Sequence, residues 1–217
     1  MQVGKRIDSK SNICLFDPSQ YGELPPIPYV DPDKHAIDVY KELVHAADTV
    51  RWIARLTEKP SIELFLAGQN HDWERIVYPG STGGFAGKRD TPEYLAHKKR
   101  HAIRSTILVY QKLKSNRFSE YTCQRVAFLI LHHDDTGEEI RKLNDPELQI
   151  LVSADSMSFF SVIFPEMLSR GESEDRVRGK MKFMIGKMDE YAREILATWK
   201  SPDERINRWK DIELNQV

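Results

Sequence analysis

Residues 148–164 read LQILVSADSMSFFSVIF, and the fold class turns on this stretch. No strand-like alternation of apolar and polar residues runs through it. From Pro146 to Leu168 it reads as the most apolar helix of the chain, with Pro165 placed to kink or end it early. Asp155 lies in its middle. An ionised carboxylate in such a helix must be paired or metal-bound, because burying it alone costs several kcal/mol or shifts its pKa until it neutralises. The competing reading is an acid that faces water on the side of Ser156.

Helical signals continue on both sides of this stretch. Asp31-Pro32 reads as a helix entry, and Ile37 to Leu56 carries apolar residues at helical spacing. Lys59-Pro60 ends that helix, and Pro60 suits the first turn of the next, which runs through IELFLAGQNHDW. A Gly-containing loop over about residues 76–90 follows, long enough to suggest a lid or binding element. Thr91-Pro92-Glu93 opens a helix to Leu113, and Glu120 to His132 gives another. Ser173 with Glu174 and Asp175 opens a long amphipathic helix to Trp199, and Ser201-Pro202-Asp203 caps a short last one. The expectation is an all-α, single-domain helical bundle. Residues 1–32 form an extended Pro-rich arm, 33–200 the helical domain and 201–217 a C-terminal tail helix.

Composition narrows the function classes. The chain has 217 residues and a net charge of −1, so it suits one core and has no global basic field of the kind that drives bulk nucleic-acid binding. No apolar run approaches the roughly 20 residues of a membrane span, and the N-terminus MQVGKRIDSKSNIC has no apolar segment behind its basic residues. Cys14 and Cys123 stand apart with no zinc or redox spacing, which points to a reduced, cytoplasmic setting.

The histidines carry the chemistry. His45 falls within the helix 36–58 among apolar neighbours, and His71-Asp72 ends an apolar helical stretch. His101 sits mid-helix, His132-His133 close the run VAFLIL, and Asp155 comes last. Each alone has a plain explanation, such as a hydrogen-bonded core residue or a cation at a helix C-terminus. Their order is more telling, because each group lies on a separate helix. Helices that offer inward imidazoles and carboxylates are how a bundle builds a metal site in its core.

This order, with the phrases LFLAGQNHDWER, LILHHDDTG and VSADSMSFF, resembles the HD superfamily of metal-dependent phosphohydrolases over about residues 36–168. In particular it resembles the extended pattern of the HD-GYP phosphodiesterases and other binuclear members. The resemblance implies a first divalent ion held by His45, His71, Asp72 and Asp155. Asp72 would bridge to a second ion held by His101 and either His132 or His133. One or two ions (Mn, Fe, Co, Zn or Mg) and a small phosphorylated, nucleotide-like substrate are the cofactor and partner it implies.

Three departures matter. Arg75 stands where members of the family often carry a lysine, and arginine clamps phosphate without giving up a proton. Thr136-Gly137-Glu138-Glu139 replaces the GYP segment, which argues against a cyclic-di-GMP hydrolase. His97, one turn before His101, competes with it as a ligand, and His101 is preferred for the small-then-apolar Ser105 and Ile107 behind it. Lys88, Arg89, Lys98 and Arg104 are either an electropositive mouth for an anionic substrate or an ordinary solvated face. The loop STGGFAGKRD lacks the phosphate-loop arrangement.

The leading expectation is a phosphohydrolase with Asp72 and Arg75 in its catalytic machinery. A diiron HD-type oxygenase shares the ligand set, and a helical binding module without turnover is the third reading. The helix 174–199 and the arm are candidate surfaces for a homo-oligomer.

Overall fold

A computed structural model describes residues 16–22, 32–79 and 91–216. Within them the chain is all-α, with no strand among the described residues. In chain order the α-helices are α1 (Pro32–Leu56), α2 (Ile62–Asn70), α3 (Trp73–Val77), α4 (Pro92–Ser115), α5 (Glu120–His132) and α6 (Gly137–Leu143). They continue with α7 (Pro146–Ser158), α8 (Phe164–Ser169), α9 (Glu174–Lys187), α10 (Glu190–Thr198) and α11 (Glu204–Leu214).

Most of these helices start where a side chain can take up an orphan N–H. Ser61, Thr91, Ser119, Thr136, Asp145, Ser173, Asp189 and Asp203 each accept a backbone N–H of the first turn. Such a cap contributes typically about 1 kcal/mol. Because Ser61 is the cap, Pro60 lies just outside α2 and not in its first turn.

The core is shared by α1, α2, α4, α5, α7, α9, α10 and α11. Trp52, Leu64, Val109, Leu129, Leu151, Phe160, Ile185, Leu196 and Ile206 all belong to one buried cluster. Burying each such side chain contributes roughly 1.5–3 kcal/mol. α7 is the central element: it packs on α1, α2, α5, α9 and α10. The continuous helical run Pro146–Ser169 is long and apolar enough to cross a membrane by composition, contrary to the expectation of no such segment. Of its most apolar window 72% is buried inside the protein, as in a core helix. α1 and α2 approach closely at Gly68, where a Cβ would collide with the Ile53 side chain.

Pro165 does not end the apolar stretch. A π-helical turn over Phe159–Ile163 takes up the local change, and Pro165 falls in the first turn of α8. Proline has no N–H to give to the preceding turn, so the ladder is re-registered there and then resumes.

Three further differences concern the elements themselves. The long helix to Trp199 is two helices, because Met188 is extended (ψ 149°) and Asp189 caps α10 by accepting from the Ala192 N–H. The short helix α6 was not expected, although its capping box of Thr136 and Glu139 is legible in the sequence. Part of the arm is not extended: Pro18–Tyr21 is a 3-10 turn. Phe16 beside it is buried against Ile107 and Ala127, with its N–H donated to Gln124 Oε1 at 2.7 Å. The rest of the arm before Pro32, the glycines of the 76–90 loop, Cys14, Lys88 and Arg89 lie outside the described residues.

Candidate metal centre

Six of the expected ligands meet at the centre of the helical assembly, three from within helices, two from a helix break and one from a helix end. His45 projects from α1, His101 from α4 and Asp155 from α7. His71 and Asp72 occupy the break between α2 and α3, where Asp72 leaves helical geometry (φ −101°, ψ 26°). His133 is the residue just past α5. All six are buried.

At one end, three lone-pair atoms converge. His45 Nε2 is 3.1 Å from Asp155 Oδ1 and 3.3 Å from His71 Nε2, and His71 Nε2 is 3.5 Å from the same carboxylate oxygen. The surrounding hydrogen bonds fix the tautomers. His71 Nδ1 donates to the Gly68 carbonyl at 2.9 Å, so its neutral ring carries the lone pair on Nε2. Ser158 Oγ donates to the His45 carbonyl and therefore accepts from His45 Nδ1 at 2.8 Å, leaving that Nε2 bare as well. Two imidazole lone pairs and a carboxylate oxygen facing one another call for a cation between them. Separations of 3.1–3.5 Å match neighbouring donors around a divalent ion, since bonds of about 2.0–2.2 Å at right angles place their ends about 3 Å apart.

Asp72 links this group to a second one. His101 Nε2 lies 2.6 Å and His133 Nε2 3.7 Å from Asp72 Oδ1, while Asp72 Oδ2 is 3.9 Å from His71 Nε2. Here too the far ring nitrogens are held: His133 Nδ1 donates to the Ile130 carbonyl at 2.6 Å, and His101 Nδ1 to Glu74 Oε2 at 2.7 Å. Backbone carbonyls and carboxylates behind the rings are the usual outer shell of metal-bound histidines. His45, His71 and Asp72 form one buried group able to hold a metal ion, and Asp72, His101 and His133 form another.

The electrostatics agree. Burial opposes charge on His71, yet Asp72 and Asp155 outweigh it and raise the ring's proton affinity to a pKa of about 9. The convergence that draws a proton would equally draw a metal cation. Burial would raise Asp155, but Lys187, His45 and His71 hold it well below the usual carboxylate range. Asp72 is held down in the same way by Arg75, His71 and His101, and Asp134 by Lys98, His133 and Lys187.

A cavity of about 420 Å³ opens onto this cluster, and Asp72, His101, His133 and Asp155 are among its lining residues. That size lies within the roughly 300–1,000 Å³ of small-molecule sites. Lys41, Arg75, Lys98, Arg170, Arg176 and Lys180 supply cations to its wall.

Two expected residues are placed elsewhere and a third takes a structural partner. His132 turns away: it is partly exposed and its Nδ1 meets Asp135 Oδ2 at 2.5 Å, so of the adjacent pair His133 alone enters the cluster. A helix turns about 100° per residue, and consecutive side chains cannot share one inward direction. Arg104 does not line the cavity; its Nη1 donates to Glu74 Oε1 at 2.9 Å and braces the carboxylate behind His101. Lys98 does line the cavity, with its Nζ paired to Asp134 Oδ1 at 2.8 Å. Arg75 stands at the cluster, Nη1 3.3 Å from Asp72 Oδ2. His97 lines the cavity, but the Nε2 that meets Asp72 is that of His101.

Several contributing residues carry only a weak signal in the sequence. Glu74 stands two positions after Asp72, and Asp134 directly follows His133, so both lie inside the phrases LFLAGQNHDWER and LILHHDDTG. Lys187, almost fully buried and 3.5 Å from Asp155 Oδ2, is seven residues after Lys180 and shares its helix face beside the apolar Val177, Met181 and Met184. A lysine on an apolar stripe was the available signal.

The DUF4202 family, described as a domain of unknown function, matches residues 27–207. No curated protein and no solved structure matches the chain.

Proposed function

The chain belongs to the DUF4202 family, and from its buried cluster we propose that it is a metal-dependent phosphohydrolase of HD type acting on a small phosphomonoester or nucleotide-like ester. The observation that carries the reading is the convergence of His45 Nε2, His71 Nε2 and Asp155 Oδ1 within 3.5 Å, with every far ring nitrogen already engaged. Neutral imidazole and carboxylate together suit Mn, Fe, Co or Zn. His45, His71, Asp72 and Asp155 would hold one ion, and Asp72, His101 and His133 a second. Such ions lower the pKa of a bound water and clamp phosphate oxygens.

The chain's own groups then have defined tasks. Arg75, permanently charged and at the cavity wall, holds phosphate oxygens as a fork of donors. Glu74 and Arg104 keep the His101 ring in register with Asp72. Lys187 and Lys98 balance the buried carboxylates of Asp155 and Asp134, so the pocket reaches its substrate without a large surplus of negative charge. Six lysine and arginine side chains line the cavity among seven carboxylates, so attraction for a phosphate would come from individual groups such as Arg75 and not from a net positive wall. The Arg75 guanidinium beside the cluster ranks hydrolysis above the diiron oxygenase that the same ligands would serve. A reduced, cytoplasmic setting accords with the free, buried Cys123.

The test is metal content by mass spectrometry on the purified protein beside Asp72→Ala, followed by a phosphoester panel. One or two ions per chain, lost in the variant, with phosphate released from the panel, is the expected result. Predominant iron with oxygen uptake and no phosphate release would transfer the site to the oxygenase reading. No metal retained after incubation with Mn, Fe, Co or Zn would sink the proposal.

A further inference from the structure

We propose that Lys180 of α9 is the proton donor to the leaving-group oxygen of the ester, the task that Arg75 is chemically unable to perform. The inference rests on the phosphohydrolase reading and adds a catalytic residue to it.

The argument begins with the cations of the cavity wall. Of the six among the described residues, five already hold a carboxylate: Lys41 with Glu166 at 3.5 Å, Arg75 with Asp72 at 3.3 Å, Lys98 with Asp134 at 2.8 Å, Arg170 with Asp38 at 3.6 Å and Arg176 with Glu172 at 3.0 Å. Lys180 has no carboxylate within ion-pair distance among the described residues. Its Nζ lies over two aromatic faces instead, 4.4 Å from the ring centre of Phe159 and 5.1 Å from that of Phe183. An amine held on rings in a cavity wall is positioned by packing, while its hydrogen-bonding capacity stays open towards the cavity. Phe159 also ties it to the metal cluster, since that ring lies 5.2 Å from the ring of His45.

The surroundings suit an acid. Burial, with the ammonium groups of Lys98 from α4 and Lys187 from α9, pulls the Lys180 proton affinity well below that of an ordinary lysine, against the opposite pull of Asp134 and Asp155. A general acid works best when its pKa lies near the working pH. Guanidinium stays protonated throughout, so the one residue expected near this role from the sequence, Arg75, is confined to clamping. The step balances. The oxygen of water bonds to phosphorus, and the P–O bond to the alcohol breaks with its electron pair on the alcohol oxygen. That oxygen takes the Lys180 proton, and the proton released by the attacking water restores the ammonium through solvent.

Two measurements on the full-length, metal-loaded protein test this. The first compares wild type, Lys180→Met and Lys180→Arg on an alkyl phosphomonoester and on 4-nitrophenyl phosphate, whose leaving group needs no proton. Lys180→Met should slow the alkyl ester by about 10²–10⁴-fold and the nitrophenyl ester by less than about 10-fold, with metal content unchanged and no rescue by arginine. Equal losses on both esters, or rescue by arginine, would make Lys180 an electrostatic contact and overturn the proposal. The second needs no turnover: acetic anhydride labelling of Lys180, read by peptide mass spectrometry, with and without inorganic phosphate. Phosphate should protect Lys180 severalfold, and absence of protection refutes its contact with substrate. Protection without hydrolysis of either ester refutes the phosphohydrolase reading itself, and the donor role with it.

Discussion

His132 and His133 are chemically identical neighbours with opposite fates. His133 points its Nε2 at Asp72 from a ring fixed to the Ile130 carbonyl, and His132 pairs with Asp135 at the surface. His133→Ala should therefore lower metal affinity at the second position by more than 10-fold, while His132→Ala leaves it within about twofold; titration against a chelating dye reads both. Glu74 has no place in the ligand set, yet it orients His101 through a 2.7 Å hydrogen bond. Glu74→Gln is expected to reduce affinity by about 10–100-fold, the usual effect of losing an outer-shell partner. The histidines and Asp155 stood out in the sequence because each interrupts an apolar helix. Glu74, Asp134 and Lys187 did not, because a charged residue next to a motif reads as a solvated one until its neighbours are known.

At the level of elements, α7 depends on how it begins. Asp145 caps it by accepting from the Leu148 N–H and holds Arg125 through two bonds of 2.7 and 2.8 Å. Burial would raise the Asp145 carboxyl, but Arg125 and the Leu148 N–H more than compensate and its pKa is lowered. A carboxylate with a depressed folded-state pKa contributes stability that is full above its unfolded value, near 3.9, and is lost as pH falls through the folded value. Asp145→Ala should destabilise the protein by about 1–3 kcal/mol at pH 7. The gap between the two chemical-denaturation midpoints should narrow as pH drops below about 4. The start of α7, its proline and its apolar run were all legible. The division of the 174–199 stretch was not, because Met188 and Asp189 look as helical in sequence as their neighbours and only the Asp189 cap shows the break.

For the whole molecule, the cluster is also a seam. It joins α1, the α2–α3 break, α4, the end of α5 and α7, so an ion there ties together elements distant in sequence. A ligand that binds only the folded state stabilises it by about 2.7 kcal/mol at 100 times its Kd. For a domain of this size that corresponds to a rise of about 5–10 °C in Tm. Adding Mn or Zn to chelator-treated protein should produce such a rise by calorimetry, and Asp72→Ala should show none. A wild-type Tm indifferent to metal would contradict the role given to the cluster.

By itself, the sequence determined what local rules determine: an all-α chain, the starts of α4, α9 and α11 through their capping side chains, the core helix around Asp155 and the histidines and aspartates set against apolar faces. Those features follow from periodicity and capping, which act over a few residues. Tertiary structure alone decided which member of the His132–His133 pair turns inward and that Arg104 braces Glu74 and not a substrate. It also decided that, among the described residues, Lys180 is left without a carboxylate while the other cavity cations are paired. Each of these depends on the direction of a side chain relative to helices dozens of residues away, and helix packing sets that direction.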